Sequence, residues 1–184
     1  FIGSNLAERL EKDGHNVTSI DNYSFGKKEN EHKNVKYIND DLENIHSIND
    51  PIDICFHLAA KARVQPSFAD PVDYFRVNAK GTMEVMEWAK KHTVKVVYAG
   101  SSSKHFSPED SPYAMYKYLG EEVCKLYRKT YKLDVEICRF YNVYGPNEVI
   151  EGDWAAVIGI WRRQVRDNEK ITIVGDGNQR RDFT

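Results

Sequence analysis

The sequence predicts an α/β domain built on a doubly wound parallel sheet. Three observations carry that prediction. Short apolar runs with strand character alternate with longer stretches whose apolar residues recur at helical spacing, the order expected of a parallel sheet covered on both faces. The predicted strand ends carry Asp21, Asp41, Ala59, Ser101 and Asn142, all small or polar, so they form one rim where ligands bind in open sheets. The chain has 184 residues, 41% hydrophobic and 29% charged, enough for one domain with a real core.

In chain order, Leu6, Ala7 and Leu10 predict a first helix, with Gly14 as its stop. Val17 to Ile20 predict a strand ending in Asp21, eighteen residues after Gly3. A glycine at a helix start and an acid about 20 residues on form the second half of a dinucleotide fingerprint, in which the acid bonds ribose hydroxyls. The first half is missing, and on spacing alone a plain helix, turn and edge strand fits as well. Residues 22–34 are polar, with Gly26, Lys27, Lys28 and Lys33, and predict a loop beside that strand end.

Val35 to Ile38 predict a second strand and Ile52 to Leu58 a third, leading into Ala59-Ala60, small enough to admit a flat ligand. His57 inside that strand reads as a satisfied core histidine. After Pro71 a long helical pattern (Tyr74, Phe75, Val77, Val85, Met86, Ala89) runs to about His92. Asn78 and Gly81 interrupt it, each costing about half to one kcal/mol against alanine, which suggests either close packing or a hydrogen bond near a ligand, or a pair simply tolerated on a long helix. Val94 to Ala99 predict the next strand, with Gly100 to Ser103 as the turn at its end.

The stretch from Tyr98 to Lys117 then places a hydroxyl cluster just before a Tyr-x-x-x-Lys. With a helix starting near Pro112, Tyr113 and Lys117 share one face. A nearby ammonium would favour phenolate and suit the tyrosine to acid–base work, with a serine from the strand end orienting a substrate hydroxyl. By itself the motif is loose, and any surface helix can contain it. The helix continues to about Tyr131, followed by a strand over Val135 to Phe140. Beyond Gly145-Pro146 the pattern changes to an acidic loop, a helix from Trp154 to Val165 with Arg162, Arg163 and Arg166, and a short strand over Ile171 to Val174, so a second lobe starts at Asn147. Arginine forks on that helix suit a diphosphate, although a basic helix face is more often just solvated.

A formal net charge of −2 and a pI near 6.3 provide no basic field for nucleic acid or anionic lipid. Cys55, Cys124 and Cys138 have no metal-like spacing, and an odd count argues against a disulfide framework; they read as core thiols of a cytoplasmic protein without a metal site. No apolar run approaches about 18 residues and the opening residues are not a basic-then-apolar leader, so no membrane or export signal is read.

Together these pieces resemble the extended short-chain dehydrogenase/reductases of the NAD-dependent sugar epimerase and dehydratase type. The matching stretches are Phe1-Ile-Gly-Ser-Asn-Leu, Ile20-Asp-Asn, Asp41-Leu, His57-Leu-Ala-Ala, Asn78-Ala-Lys-Gly-Thr, Ala99 to Ser103, Tyr113 to Lys117, Arg139-Phe-Tyr-Asn-Val-Tyr-Gly-Pro, and Gly175-Asp-Gly with Arg181-Asp-Phe. The resemblance implies a Rossmann-type domain over 1–146 and the start of a nucleotide-sugar lobe over 147–184. It implies NAD as cofactor, with Gly3 at the pyrophosphate, Asp21 and Asn22 on the adenosine ribose, Asp41 and Leu42 flanking adenine, Ala59, Ala60 and Asn78 lining the cofactor, Lys117 on the nicotinamide ribose and Tyr141 near the nicotinamide. Ser101, Tyr113 and Lys117 are then catalytic, Ser102 and Ser103 lie beside the sugar, and Asn142 and Arg181 contact the diphosphate of a UDP-sugar.

The implied reaction is 4-epimerisation by transient oxidation at C4. Ser-Ser-Ser stands where dehydratases of the family usually carry Thr-Asp-Glu, which favours an epimerase; a dehydratase, a decarboxylase and a non-catalytic NAD-binding member are the alternatives. The loop from Ser103 to Tyr113 is shorter than is usual in these epimerases, so the pocket wall and sugar identity differ. The resemblance also implies that both ends of the family's fold are missing, including a first strand between the one before Asp21 and the one before Ala59. The polypeptide as written is therefore expected to bind NAD poorly, to be inactive and to offer raw sheet edges to another copy. Homodimerisation through Tyr74, Met86, Leu126 and Tyr127 is the further expectation, set against internal packing of the same residues.

Overall fold

The structure is a computed structural model that describes residues 1–184, apart from the side chain of Lys104. Helix α1 (Ile2–Lys12) buries Ala7 and ends at Gly14, whose φ of +89° is the left-handed conformation that glycine adopts without strain. Strands β1 (Thr18–Asp21) and β2 (Lys36–Asn39) pair in parallel, with Asp21 beside Asn39. Strands β3 (Ile54–His57), β4 (Lys95–Ser101) and β5 (Val135–Phe140) form a second parallel sheet in that order. β1 and β3 do not pair with each other, which is where the resemblance puts a further strand of the family's sheet.

Between β3 and β4 the chain forms short helices α2 (Gln65–Ala69) and α3 (Pro71–Phe75), a π-helical turn over Arg76–Lys80, and α4 (Gly81–His92). The long pattern after Pro71 is thus one helical run with a π-turn where Asn78 interrupts it. Helix α5 (Pro112–Thr130) starts on Ser111, whose hydroxyl accepts from the Ala114 N–H at 3.1 Å, with Pro112 at its first position. The core lies between β4 and these helices. Val94, Val96 and Tyr98 pack against Val85, Met86, Ala89, Cys124 and Tyr127, and Val135 and Leu133 close it beside β5.

Helix α6 (Val157–Arg166) begins three residues after Trp154, and residues 171–174 form no strand. A strand needs a partner for its backbone groups. Here the Thr172 N–H donates to Gln164 Oε1 at 3.1 Å and its carbonyl accepts from Trp161 Nε1 at 2.8 Å, so side chains of α6 take them instead. Cys124 is buried and Cys55 half-buried, but Cys138 is exposed, correcting its reading as a core thiol. It shares with exposed Glu136 the face of edge strand β5 that no helix covers. Of the four residues considered for a dimer contact, Tyr74, Met86 and Tyr127 are buried inside the chain and only Leu126 is exposed. No helix among the described residues is long and apolar enough to cross a membrane.

Candidate active site

Parallel pairing brings the carboxyl ends of β1 and β2 together in one sheet and those of β3, β4 and β5 together in the other, and the hydroxyl cluster sits where β4 outruns β3. His57, the last residue of β3, pairs with Tyr98, and β4 continues for three residues to Ser101, beside Phe140. Ser101 is buried, accepts from the Ser103 N–H at 3.1 Å and lies 2.9 Å from the Ser103 hydroxyl. Tyr113, in the first turn of α5, donates from Oη to Ser101 Oγ at 3.2 Å. Its backbone N–H donates to Ser67 Oγ at 3.2 Å, which ties α2 to the start of α5. The hydroxyl cluster and the tyrosine therefore meet as their spacing predicts.

Lys117 stands one turn further along α5 and is buried. Its ammonium donates to the Ala99 carbonyl at 2.6 Å and lies 4.5 Å from the centre of the Tyr98 ring. Burial pulls its pKa down to about 8, against smaller raising contributions from Cys124 and Glu121. The charge on the phenol differs from the sequence expectation. Burial raises the Tyr113 pKa, and the groups that pull it back are the Ser101 hydroxyl and the Arg63 guanidinium; Lys117, turned to Ala99, is not among them. Tyr113 therefore rests as a neutral phenol, able to donate to Ser101 and to become a base once further positive charge faces it.

Beneath this pair, Glu121 continues the four-residue spacing of Tyr113 and Lys117. Arg139 of β5 donates to it through Nε at 3.0 Å and Nη2 at 2.8 Å. A Cβ on Gly100 would stand 2.7 Å from Glu121 Oε1, so the glycine makes room for the ion pair that fixes α5 against the sheet. The spacing that singles out Tyr113 and Lys117 also marks Glu121. Nothing local in the sequence marks Arg63, Ser67 or Thr82, which arrive through the fold.

At the β1 end, Asn22 Nδ2 donates to Asp41 Oδ2 at 3.1 Å, and Arg76 Nη1 reaches the same oxygen at 3.2 Å. Burial opposes ionisation of Asp41, but these bonds hold its pKa below the usual carboxylate range. Asp21 is exposed and accepts from the Tyr23 N–H at 2.7 Å. A Cβ on Gly26 would lie 3.2 Å from both Asp21 carboxylate oxygens, so glycine lets the loop close over that acid. Gly3 lies in the first turn of α1 near Leu58, and Leu42 packs on Gly81 and the core. Ala59 is exposed and Ala60 half-buried beyond β3.

This set fits the dinucleotide that the resemblance implies: an open carboxylate at β1 for ribose hydroxyls, small residues at β3 and a helix start beside them. Asn78 is different. It is buried, accepts from the Lys61 N–H at 2.8 Å and donates to the Lys61 carbonyl at 2.9 Å, so its amide clasps the loop and any effect on a cofactor passes through that loop.

Tyr141 Oη and His105 Nε2 are 2.8 Å apart beside the half-buried Ser102 and Ser103. Asn142 donates to the Asp182 carbonyl at 2.7 Å, which brings the exposed Arg181 segment to the end of β5. The arginines of α6 all meet carboxylates, Arg162 with Glu148 at 2.7 Å, Arg163 with Glu169 at 2.9 Å and Arg166 with Asp167 at 2.7 Å, which favours a solvated, self-paired face. His57 is buried, with Nε2 3.0 Å from Thr82 Oγ1. No group of three or more His, Cys, Asp or Glu side chains among the described residues could hold a metal ion.

The profile of the NAD dependent epimerase/dehydratase family matches residues 1–184. A UDP-glucose 4-epimerase of Mycolicibacterium smegmatis is 33% identical across the whole chain, which covers 66% of that relative. A UDP-N-acetyl-alpha-D-glucosaminuronate decarboxylase of Bacillus cytotoxicus is 32% identical, again over the whole chain and 64% of the relative. Among solved structures, the UDP-N-acetylglucosamine 4-epimerase from Methanobrevibacter ruminantium in complex with UDP-N-acetylmuramic acid is 34% identical with a TM-score of 0.93, over 100% of this chain and 65% of that one. The chain thus spans about two thirds of the length of these three proteins and 48% of a UDP-glucuronic acid decarboxylase 1 of Xenopus tropicalis, to which it is 27% identical.

Proposed function

The chain belongs to the NAD dependent epimerase/dehydratase family, and from that premise we propose that it supplies the cofactor half and the proton-transfer residues of an NAD-dependent UDP-sugar 4-epimerase. The observation that carries this reading is the hydrogen bond from Tyr113 to Ser101 at the end of β4, with Lys117 one turn away on the same helix face. Asp21 favours NAD over NADP, because its carboxylate would repel a ribose phosphate. NAD, when bound, supplies a hydride acceptor that also returns the hydride.

Ser101 and Tyr113 do the rest. The C4 hydroxyl of the sugar comes within reach of both oxygens and Ser101 orients it; Tyr113, which would first release its phenolic proton to solvent once the positive charge of the bound cofactor faces it, takes the hydroxyl proton as the C4 hydride leaves. The resulting ketone turns over in the pocket. Hydride returns to the opposite face and Tyr113 gives the proton back, so the centre is inverted and no atoms are lost. A dehydratase needs a further acid to expel water, and Ser102 and Ser103 supply none at that turn. Ser102 and Ser103 face the sugar side, Asn142 and Arg181 the diphosphate, and Gly3, Asn22, Asp41, Leu42, Ala59, Ala60, Lys117 and Tyr141 the cofactor. We place the protein in the cytoplasm as a homodimer, with exposed Phe75, Met83 and Leu126 on α3, α4 and α5 as the apolar contact.

The test is turnover of UDP-glucose and UDP-N-acetylglucosamine by purified protein with added NAD, followed by proton NMR of the C4 epimer. Tyr113→Phe is expected to lower kcat by about 10²- to 10⁴-fold. Full turnover in that variant overturns the role of Tyr113, and a product lighter by water or carbon dioxide overturns the epimerase reading.

A further inference from the structure

Four arginines in the chain are half-buried: Arg63, Arg76, Arg139 and Arg163. Three face carboxylates, Arg76 with Asp73 at 2.9 Å, Arg139 with Glu121 at 2.8 Å and Arg163 with Glu169 at 2.9 Å. Arg63 faces none among the described residues. Its Nε and Nη2 both donate to the backbone carbonyl of Trp154, at 2.9 and 2.6 Å. That fixes one edge of the guanidinium and leaves Nη1 and the second Nη2 hydrogen, the end-on fork, without a partner among the described residues.

A half-buried cation held only by a neutral carbonyl is unusual, since taking charge out of water is costly without a counter-ion. The fork is the shape that binds a carboxylate through two parallel bonds. Its position says where such a group would be. Arg63 precedes the turn in which Ser67 Oγ donates to the Val64 carbonyl at 2.6 Å and accepts from the Tyr113 N–H at 3.2 Å, so the segment is bound to the first turn of α5. On the other side Trp154 lies against the Tyr74 ring at 6.5 Å, closing a wall around the guanidinium. The charge of Arg63 is felt by both Tyr113 and Tyr74. The guanidinium is therefore on the Tyr113 side of the site, where the proton transfer proposed above takes place.

We propose that Arg63 is a specificity-determining residue that binds a carboxylate carried by the sugar of the substrate, so that the preferred UDP-sugars are acidic. This rests on the nucleotide-sugar reading above. Two sources of the carboxylate are chemically open, a uronic acid at C6 and an acid carried on an ether substituent, and Arg63 serves either.

Isothermal titration of the purified protein with added NAD, using UDP, UDP-glucose, UDP-glucuronate and UDP-N-acetylmuramate in turn, is the test. At least one acidic sugar is expected to bind about ten- to a hundredfold more tightly than UDP-glucose, the range of a charge-assisted pair, and which one does so identifies the source. Arg63→Gln should abolish that preference and leave Kd for UDP and UDP-glucose unchanged. Arg63→Lys, which keeps the charge without the fork, should restore part of it and covers the case in which Arg63→Gln does not fold. Equal affinity for neutral and acidic sugars in the wild type overturns the proposal. So does an equal loss of UDP and acidic-sugar binding in Arg63→Gln, which would put the diphosphate on Arg63. Failure to bind UDP at all overturns this proposal and the nucleotide-sugar reading together.

Discussion

His57 shows how a residue with catalytic chemistry is spent on the core. Its ring is buried against Thr82 and Tyr98, and burial first, with the nearby Lys117 charge second, pulls its pKa from 6.5 to about 3. In the unfolded chain it takes a proton near pH 6.5; in the fold it does so only near pH 3. Between these values the unfolded state binds more protons, so stability present above pH 6.5 is lost as pH falls towards 3. Each unit of pH in that window costs about 1.4 kcal/mol. Urea unfolding at pH 7 and pH 5 should show a loss on the order of 2 kcal/mol in the wild type that is visibly smaller in His57→Gln, where no group titrates. An identical loss in both would remove His57 as its source. At this scale much of the site was legible: the meeting of Ser101 with Tyr113 follows from a strand end and a helix start. The direction of Lys117 was not, because the Ala99 carbonyl and the Tyr98 ring that hold it belong to a strand eighteen residues away.

The element that positions the site is α5, and its fit against the sheet turns on glycines as well as on ion pairs. A Cβ on Gly120 would collide with the Tyr98 hydroxyl and stand 3.2 Å from the backbone carbonyl of Asn78. A backbone atom cannot swing away, so Gly120→Ala must push α5 off β4 or distort the π-turn. We expect it to destabilise the fold by about 1–3 kcal/mol, as overpacked cores do, and to lower turnover, because the shift is passed one turn on to Lys117 and two to Tyr113. An unchanged melting temperature in Gly120→Ala would show that the helix approaches the sheet less closely than described. Periodicity foretold that α5 exists and nearly where it ends. It could not foretell why Gly81 and Asn78 sit in the preceding helix, where one makes room for Leu42 and the other clasps Lys61, since both reasons lie in distant loops. The same limit explains residues 171–174, whose apolar character suits a strand but whose backbone is taken by Gln164 and Trp161.

Across the whole molecule, stability is unevenly placed. The buried apolar cluster joins β4, β5, α4 and α5, with Ile45 and Leu133 at its margins, and takes in no residue of β1 or β2. Those two strands are half-buried or exposed along their length and pair with no other strand. Residues 167–184 are exposed throughout. Local opening costs least where little apolar surface is buried and backbone bonds are close to water. Amide exchange followed by mass spectrometry should therefore show slowest exchange in β4 and α5, faster exchange in β1 and β2, and none of that protection beyond residue 167. The proton-transfer residues lie on the slow elements, whereas Asp21 lies on the fast pair, so a dinucleotide spanning both would tie the second sheet to the first. Added NAD is expected to slow exchange in β1 and in the loop around Gly26 while leaving β4 unchanged. Protection that rose only in β4 would place the ligand away from Asp21, and the cofactor arrangement proposed above would fail.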